Sequence, residues 1–249
     1  MRFIIIILLI TVLVSCPYPM PEFDNPNDPL ASGGTSVDDS DEEYTVTDPN
    51  LVAYYPLDSD FQDHSGYNNH GTPSSPAPIF VTDRSGSAAS AAAFNGLDQY
   101  AAVSDSASLK CEVITVTCWA RIEDFSISRL FGKWQGGNVF NLGTDLSDQI
   151  WFEVNTDQGQ GAVIYTVPDP GSYSTSWHHI AGRYDGNEIH IYIDGVLVQT
   201  AQHRGVLNQG EVNFEIARCD TGMFTGVLDE VRIFNYALSQ AEIQADMNR

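Results

Sequence analysis

Residues 188–199 read E-I-H-I-Y-I-D-G-V-L-V-Q, and few stretches of this length leave a chain so little freedom of fold. Ile189, Ile191 and Ile193 alternate with His190 and Tyr192, the period-two pattern of a strand that buries one face. Asp194-Gly195 supplies the positive-φ pair a tight hairpin demands, and Val196, Leu197 and Val198 return. The same pattern recurs along the chain. Residues 51–57 are apolar and aromatic, and 113–122, 149–154, 162–167, 212–217 and 227–234 read as further short strands. The alanine run 88–93 has helical propensity, but it runs into Phe94-Asn95-Gly96 and then Leu97-Asp98-Gln99-Tyr100. A strand, a tight turn and a return strand is the reading that fits. One short helix closes the chain, where Ser239 as N-cap and Glu242 make a capping box ahead of Ala241, Ile243 and Ala245. Many short strands with almost no helix predict an all-β, two-sheet antiparallel sandwich.

The chain has 249 residues, enough for one sizeable core. Its 33 acidic and 11 basic side chains leave a formal charge of −22, which argues against nucleic acid as a partner. The acidity fits a soluble extracytoplasmic protein able to hold divalent cations. Arg2 and the apolar run 3–14 read as a targeting segment, too short to span a bilayer comfortably. It ends in Leu13-Val14-Ser15-Cys16, which resembles the lipobox of bacterial lipoprotein signal peptides. That resemblance implies cleavage after residue 15, acylation of Cys16 and anchoring at the outer membrane or cell surface without a transmembrane helix. Pro17 is not an aspartate, so no inner-membrane retention signal is evident. Residues 16–50 are rich in proline and acidic residues and hold no lysine or arginine, the composition of a disordered tether. Within it, the acidic run 38–43 reads as a solvated spacer rather than a calcium site.

Lipidation of Cys16 leaves Cys111, Cys118 and Cys219, and at most one disulfide. Cys111 and Cys118 fall in or near one extended strand, about 23 Å apart at the usual rise and far beyond bonding reach. A pairing of Cys219 with one of them is therefore expected. No Cys/His cluster points to zinc.

Residues 226–235, G-V-L-D-E-V-R-I-F-N, carry an anomaly. Strict alternation puts Val227, Asp229, Val231 and Ile233 on one face, and Leu228, Glu230, Arg232 and Phe234 on the other. A carboxylate among β-branched side chains is costly unless it is paired, hydrogen-bonded or bound to a cation.

Several segments, taken in order, resemble one family. They are Val52-Ala53-Tyr54-Tyr55-Pro56-Leu57-Asp58, Asp63-His64-Ser65-Gly66, Asn69-His70-Gly71, Phe94-Asn95-Gly96 with Tyr100 and Val103, Val116-Thr117-Cys118-Trp119-Ala120, Trp177-His178-His179-Ile180-Ala181, Tyr184-Asp185-Gly186, the 188–199 hairpin, the 226–235 strand and the Leu238-Ser239 helix start. Over residues 51–249 the chain is similar to LamG-like jellyroll domains of the concanavalin A-like lectin/glucanase superfamily. The resemblance implies a jellyroll topology and a structural calcium on the sandwich rim. Carried over by position, its ligands are Asp58, Asp63, Asn69 and Asp229, hard oxygen donors suited to that ion. The chain has Tyr67-Asn68 where the family often shows Asn-Gly, and Asn68 can still take a left-handed conformation.

Other candidates carry less. Trp177-His178-His179 invites a metal or catalytic reading, but adjacent imidazoles on a strand face opposite sides, so a core tryptophan with one satisfied and one exposed histidine is expected. Some enzymes of the superfamily are glycoside hydrolases, whose retaining members hold two carboxylates about 5–5.5 Å apart on one face. Asp229 and Glu230 do not share a face. Glu211 and Glu215 have strand spacing, but Asn213 stands where that motif carries aspartate. Trp134, Trp151 and Tyr165 are candidates for stacking on sugar rings, with Trp134 in the most loop-like context. The residues and the resemblance together imply a lipid-anchored, non-catalytic module binding carbohydrate or a surface glycoprotein. A structural or adhesion domain binding protein alone is the alternative, and a glycoside hydrolase the third reading.

Overall fold

The structure is a computed structural model that describes residues 48–134, 139–219 and 222–249. The expected signal segment, Cys16 and the tether as far as residue 47 lie outside the described residues. Among the described residues no helix is long and apolar enough to cross a membrane.

The strands in chain order are β1 (Leu51–Tyr55), β2 (Gly71–Pro73), β3 (Ile79–Val81), β4 (Ala91–Asn95), β5 (Ala101–Val103), β6 (Ile114–Ile122), β7 (Ser128–Lys133), β8 (Phe140–Asp145), β9 (Gln149–Thr156) and β10 (Gly159–Thr166). After a short helix α1 (Pro170–Thr175) come β11 (His178–Tyr184), β12 (Glu188–Ile193), β13 (Val196–Gln202), β14 (Phe214–Ile216), β15 (Arg218–Cys219), β16 (Gly222–Met223) and β17 (Thr225–Phe234). The last element is helix α2 (Gln240–Met247). Fifteen of the strands form two antiparallel sheets packed as a jellyroll sandwich, and β15 and β16 pair as a small two-stranded sheet. The larger runs β13-β12-β11-β6-β17-β4-β3, with β1 also paired to β17, and the smaller runs β10-β9-β8-β7-β14-β5-β2.

The β12–β13 hairpin forms as its residues dictate, with Asp194 at φ 50° and Gly195 at φ 72° between Ile193 and Val196. The capping box forms too: Ser239 Oγ accepts the Glu242 N–H at 3.3 Å, and Glu242 accepts the Ser239 N–H at 2.7 Å. Between the sheets lies one continuous core. At its centre the Phe214 ring lies 6.0 Å from Tyr55 and Phe131 and 6.2 Å from Phe140, ordinary aromatic packing distances. A second, smaller cluster sits on the outer face of the larger sheet, where Ile243 of α2 and Leu238 just before its N-cap pack with Leu51, Ala181, Tyr192 and Phe234. Asp246 of α2 is buried there and accepts from Thr117 Oγ1 at 2.8 Å.

Three expectations are corrected. The turn at Gly96 does not close a hairpin, because β4 belongs to the larger sheet and β5 to the smaller. The turn carries the chain across the sandwich. Cys111 and Cys118 are free, buried thiols, so neither takes part in the expected disulfide, and the Cys219 side chain lies outside the described residues. Burial pushes the Cys111 thiol up to about 11 and raises Cys118 further, which makes both inert at neutral pH.

The third correction concerns β17. Asp229 stands opposite Trp119 and Arg232 opposite Thr117, so three steps on β17 match two on β6. The extra residue is a β-bulge at Glu230, held at φ 56°. Alternation shifts by one there. Leu228, Val231 and Ile233 enter the core between the sheets. Asp229 therefore shares the outer face with Arg232 and Phe234, not a face with Val231 and Ile233.

Candidate ligand-binding surface

The four residues expected to hold calcium do not converge. Asp58 is exposed. The Asp63 carboxylate is occupied by protein donors: it accepts the backbone N–H groups of Tyr54 (2.9 Å), Ser65 (2.9 Å) and Asn69 (2.8 Å) and the Ser65 hydroxyl (2.9 Å). The Asn69 amide donates to the Val52 carbonyl at 2.8 Å, and its oxygen accepts from Ser106 Oγ at 2.6 Å. Together Asp63 and Asn69 latch the 63–69 loop onto β1, with Gly66 at φ 95° and Asn68 at φ 59° supplying the bends. Asp229 lies apart on the outer face of the larger sheet and binds Arg84 Nη1 at 2.9 Å. Among the described residues one other group of metal-ligating types draws together, Asp185, Glu188 and His190. A guanidinium already fills it: Arg183 is 2.9 Å from His190 Nδ1 and 3.1 Å from Asp185.

Asp229 is electrostatically the most perturbed carboxyl in this region. Burial, followed by the neighbouring Glu230 charge, pushes it up to about 7 against the pull of Arg84. Its side chain is 2% exposed beneath Arg84, whose guanidinium also lies 5.1 Å from the Trp119 ring.

The three aromatic candidates also separate. Trp151 on β9 pairs with Ile164 of β10, and Tyr165 pairs with Ile150, a core residue. Tyr165 thus packs inward, whereas Trp151 lies on the outer face of the smaller sheet. Trp151 is itself only 8% exposed. One side of its indole rests on Gly143, where an added Cβ would stand 2.4 Å from Cζ2 of the ring. The other side is covered by Arg129, whose guanidinium carbon is 3.9 Å from the ring centroid. Trp134, half-buried after β7, lies 6.0 Å from the same guanidinium. Of the two indoles it is Trp151, not the more loop-like Trp134, that borders the open part of this face.

Around this stack the outer face is open. A depression of about 260 Å³ is bounded by Ile127, Ile164 and Ala162, with Asp145 and Glu153 contributing carboxylates. Ile127 and Ile164 are each 49% exposed. Glu153 is held by Gln160 Nε2 at 2.9 Å and lies 4.0 Å from Arg129 Nη2. Apolar walls with convergent polar groups are the usual makings of a small-ligand site. The larger sheet has an open quarter as well, about 310 Å³ over Ala93 and Val227, walled by Ile79 and Arg121. Trp177, expected in the core, is half-buried, with the Arg121 guanidinium 5.9 Å from its ring. His179 is the buried histidine of its pair, and His178 bonds Asp194 at 2.9 Å.

A family profile described as the concanavalin A-like lectin/glucanases superfamily, of laminin G type, matches residues 94–244, more than half of the chain. The chain belongs to this superfamily. Among solved structures it is similar to the binding domain of Paraclostridial mosquitocidal protein 1, at 17% identity and a TM-score of 0.65 over 80% of this chain and 52% of that one. It is likewise similar to the botulinum neurotoxin serotype D ligand binding domain in complex with N-acetylneuraminic acid, at 13% identity, a TM-score of 0.65, and 80% and 51% coverage. A third is domain 4 of AbnA, a GH43 extracellular arabinanase from Geobacillus stearothermophilus, in complex with arabinotriose. There the identity is 19% and the TM-score 0.59, over 80% of this chain and 98% of that domain. The chain spans about half the length of the toxin domains. Identities this low speak for the fold alone. No curated protein matches the chain in sequence.

A superfamily that includes glucanases raises the question of paired carboxylates. Glu215 is buried and ion-paired with Arg218, while Glu211 is exposed ahead of β14. Glu230 accepts from Tyr54 Oη at 3.2 Å and pairs with Arg232. Neither pair weighed in the sequence forms an open, face-sharing set.

Proposed function

We propose that the protein is a lipid-anchored, extracytoplasmic module that binds carbohydrate, free or on a surface glycoprotein, without catalysing its cleavage. The observation that carries this reading is the depression beside Trp151. Its walls offer apolar contact to the C–H faces of a sugar ring, and its carboxylates and guanidinium offer hydrogen bonds to hydroxyls. The superfamily supports it, and so do neighbours whose own complexes contain sugars. The acidic, proline-rich tether and the lipobox support presentation away from a membrane. This reading needs no calcium: of the four expected donors, Asp63, Asn69 and Asp229 bond within the protein, and Asp58 is exposed. The test is a glycan array probed with the whole protein and with Ile164→Asp, which puts a charge in the wall of the depression. Specific glycan signals that fade in the variant support the reading. Silence toward every glycan, with retained binding to a protein partner, favours the adhesion alternative.

A further inference from the structure

Building on that carbohydrate reading, we infer that the ligand is an uncharged glycan and that uronic, sialic and sulfated sugars are discriminated against. Of the described residues lining the depression, Arg129 is the one cation, against the carboxylates of Asp145 and Glu153. Capture of a sugar carboxylate or sulfate calls for an arginine fork free to turn toward it. Arg129 is not free. Its side chain is 12% exposed, its guanidinium is stacked on Trp151 at 3.9 Å, and its Nη2 lies 4.0 Å from Glu153. Swinging it to an anionic ligand would break the stack, uncover the indole and leave Glu153 facing a like charge.

The same arrangement suits hydroxyls. Carboxylates are acceptors only, and a sugar hydroxyl can donate to Asp145 or Glu153 without any change of charge. Glu153 is already oriented by Gln160, and Asp145 by the Ser147 N–H at 2.8 Å. With the chain as a whole at −22, long-range steering also disfavours anions.

The test measures binding of neutral arabino- and gluco-oligosaccharides against oligogalacturonate and sialylated oligosaccharides, using the whole protein at low and high salt. Neutral sugars are expected to bind at least about tenfold more tightly at low salt, with the gap narrowing as salt screens the carboxylates. Glu153→Gln releases Arg129 and removes one negative charge, so the neutral-over-acidic ratio should fall by at least about threefold. Asp145→Asn should lower it too, and serves if the first variant melts early. A wild-type preference for acidic sugars, or a ratio unmoved in both variants, overturns the inference while leaving carbohydrate binding intact. Silence toward every sugar overturns the binding reading itself.

Discussion

Replacing Asp229 by Asn isolates what the buried carboxyl of β17 costs. In the folded protein its titration lies at about 7, whereas an unfolded aspartate titrates near 3.8. Because the folded value is raised, the native state holds the proton more tightly. Stability from this group is complete below the unfolded value and is lost as pH climbs toward about 7, after which the loss is constant. At about 1.4 kcal/mol per pH unit, the interval from pH 5 to 7 is worth up to about 2–3 kcal/mol. That figure is an upper bound, since Arg84 stands partly in water. The assay is urea unfolding of wild type and Asp229→Asn at several pH values. The variant should gain on the wild type by that amount between pH 5 and 7, because asparagine has no charge to desolvate. Glu230→Gln, which removes the second cause of the raised value, should move the wild-type transition to lower pH. Parallel stability profiles for wild type and Asp229→Asn would refute the reasoning.

Three further outcomes are expected. Gly143→Ala should cost about 1–3 kcal/mol by driving a methyl into the Trp151 ring, and should shift the tryptophan fluorescence of the folded state; unchanged emission and stability would show the indole is not seated there. Ser239→Ala should lose about 1 kcal/mol through the α2 cap, read as a lower urea midpoint at unchanged slope. A chelator should leave the melting temperature unchanged, because Asp63 accepts three backbone N–H groups and the Ser65 hydroxyl and Asp229 is ion-paired with Arg84, whereas Asp63→Ala should cost at least about 2 kcal/mol by orphaning those donors. A calcium-dependent rise in melting temperature that Asp63→Ala abolishes would contradict that account.

Local chemistry made much of the fold readable from the residues. Asp194-Gly195 specifies a turn by itself, and Ser239 with Glu242 specifies a helix start, so both appeared where expected. What the residues did not announce were shifts that tertiary packing imposes. Glu230 is not a glycine, and no local signal marks it as the extra residue of a bulge, yet that one position moves Asp229 to the other side of the alternation. The Gly96 turn looks like any hairpin turn, and only sheet membership shows that it changes layers. At the candidate site, parity could have separated Tyr165 from Trp151, since their positions in paired strands differ by one step. The cover of Trp151 was out of reach, because it comes from β7 and depends on a glycine of β8 leaving room below the ring.

The pairing of β1 with β17 has a consequence for how such a chain is made. The first strand of the domain finds its partner only in the last, and β17 is also the strand that joins β6 to β4. During synthesis, N-terminus first, β1 must wait with its edge open until almost the whole domain has emerged. Long-range closure of this kind is slow, and unpaired edges are prone to aggregate in the meantime. A truncated or stalled chain should therefore not settle into a smaller version of the domain, and the domain closes only once its final strand is available.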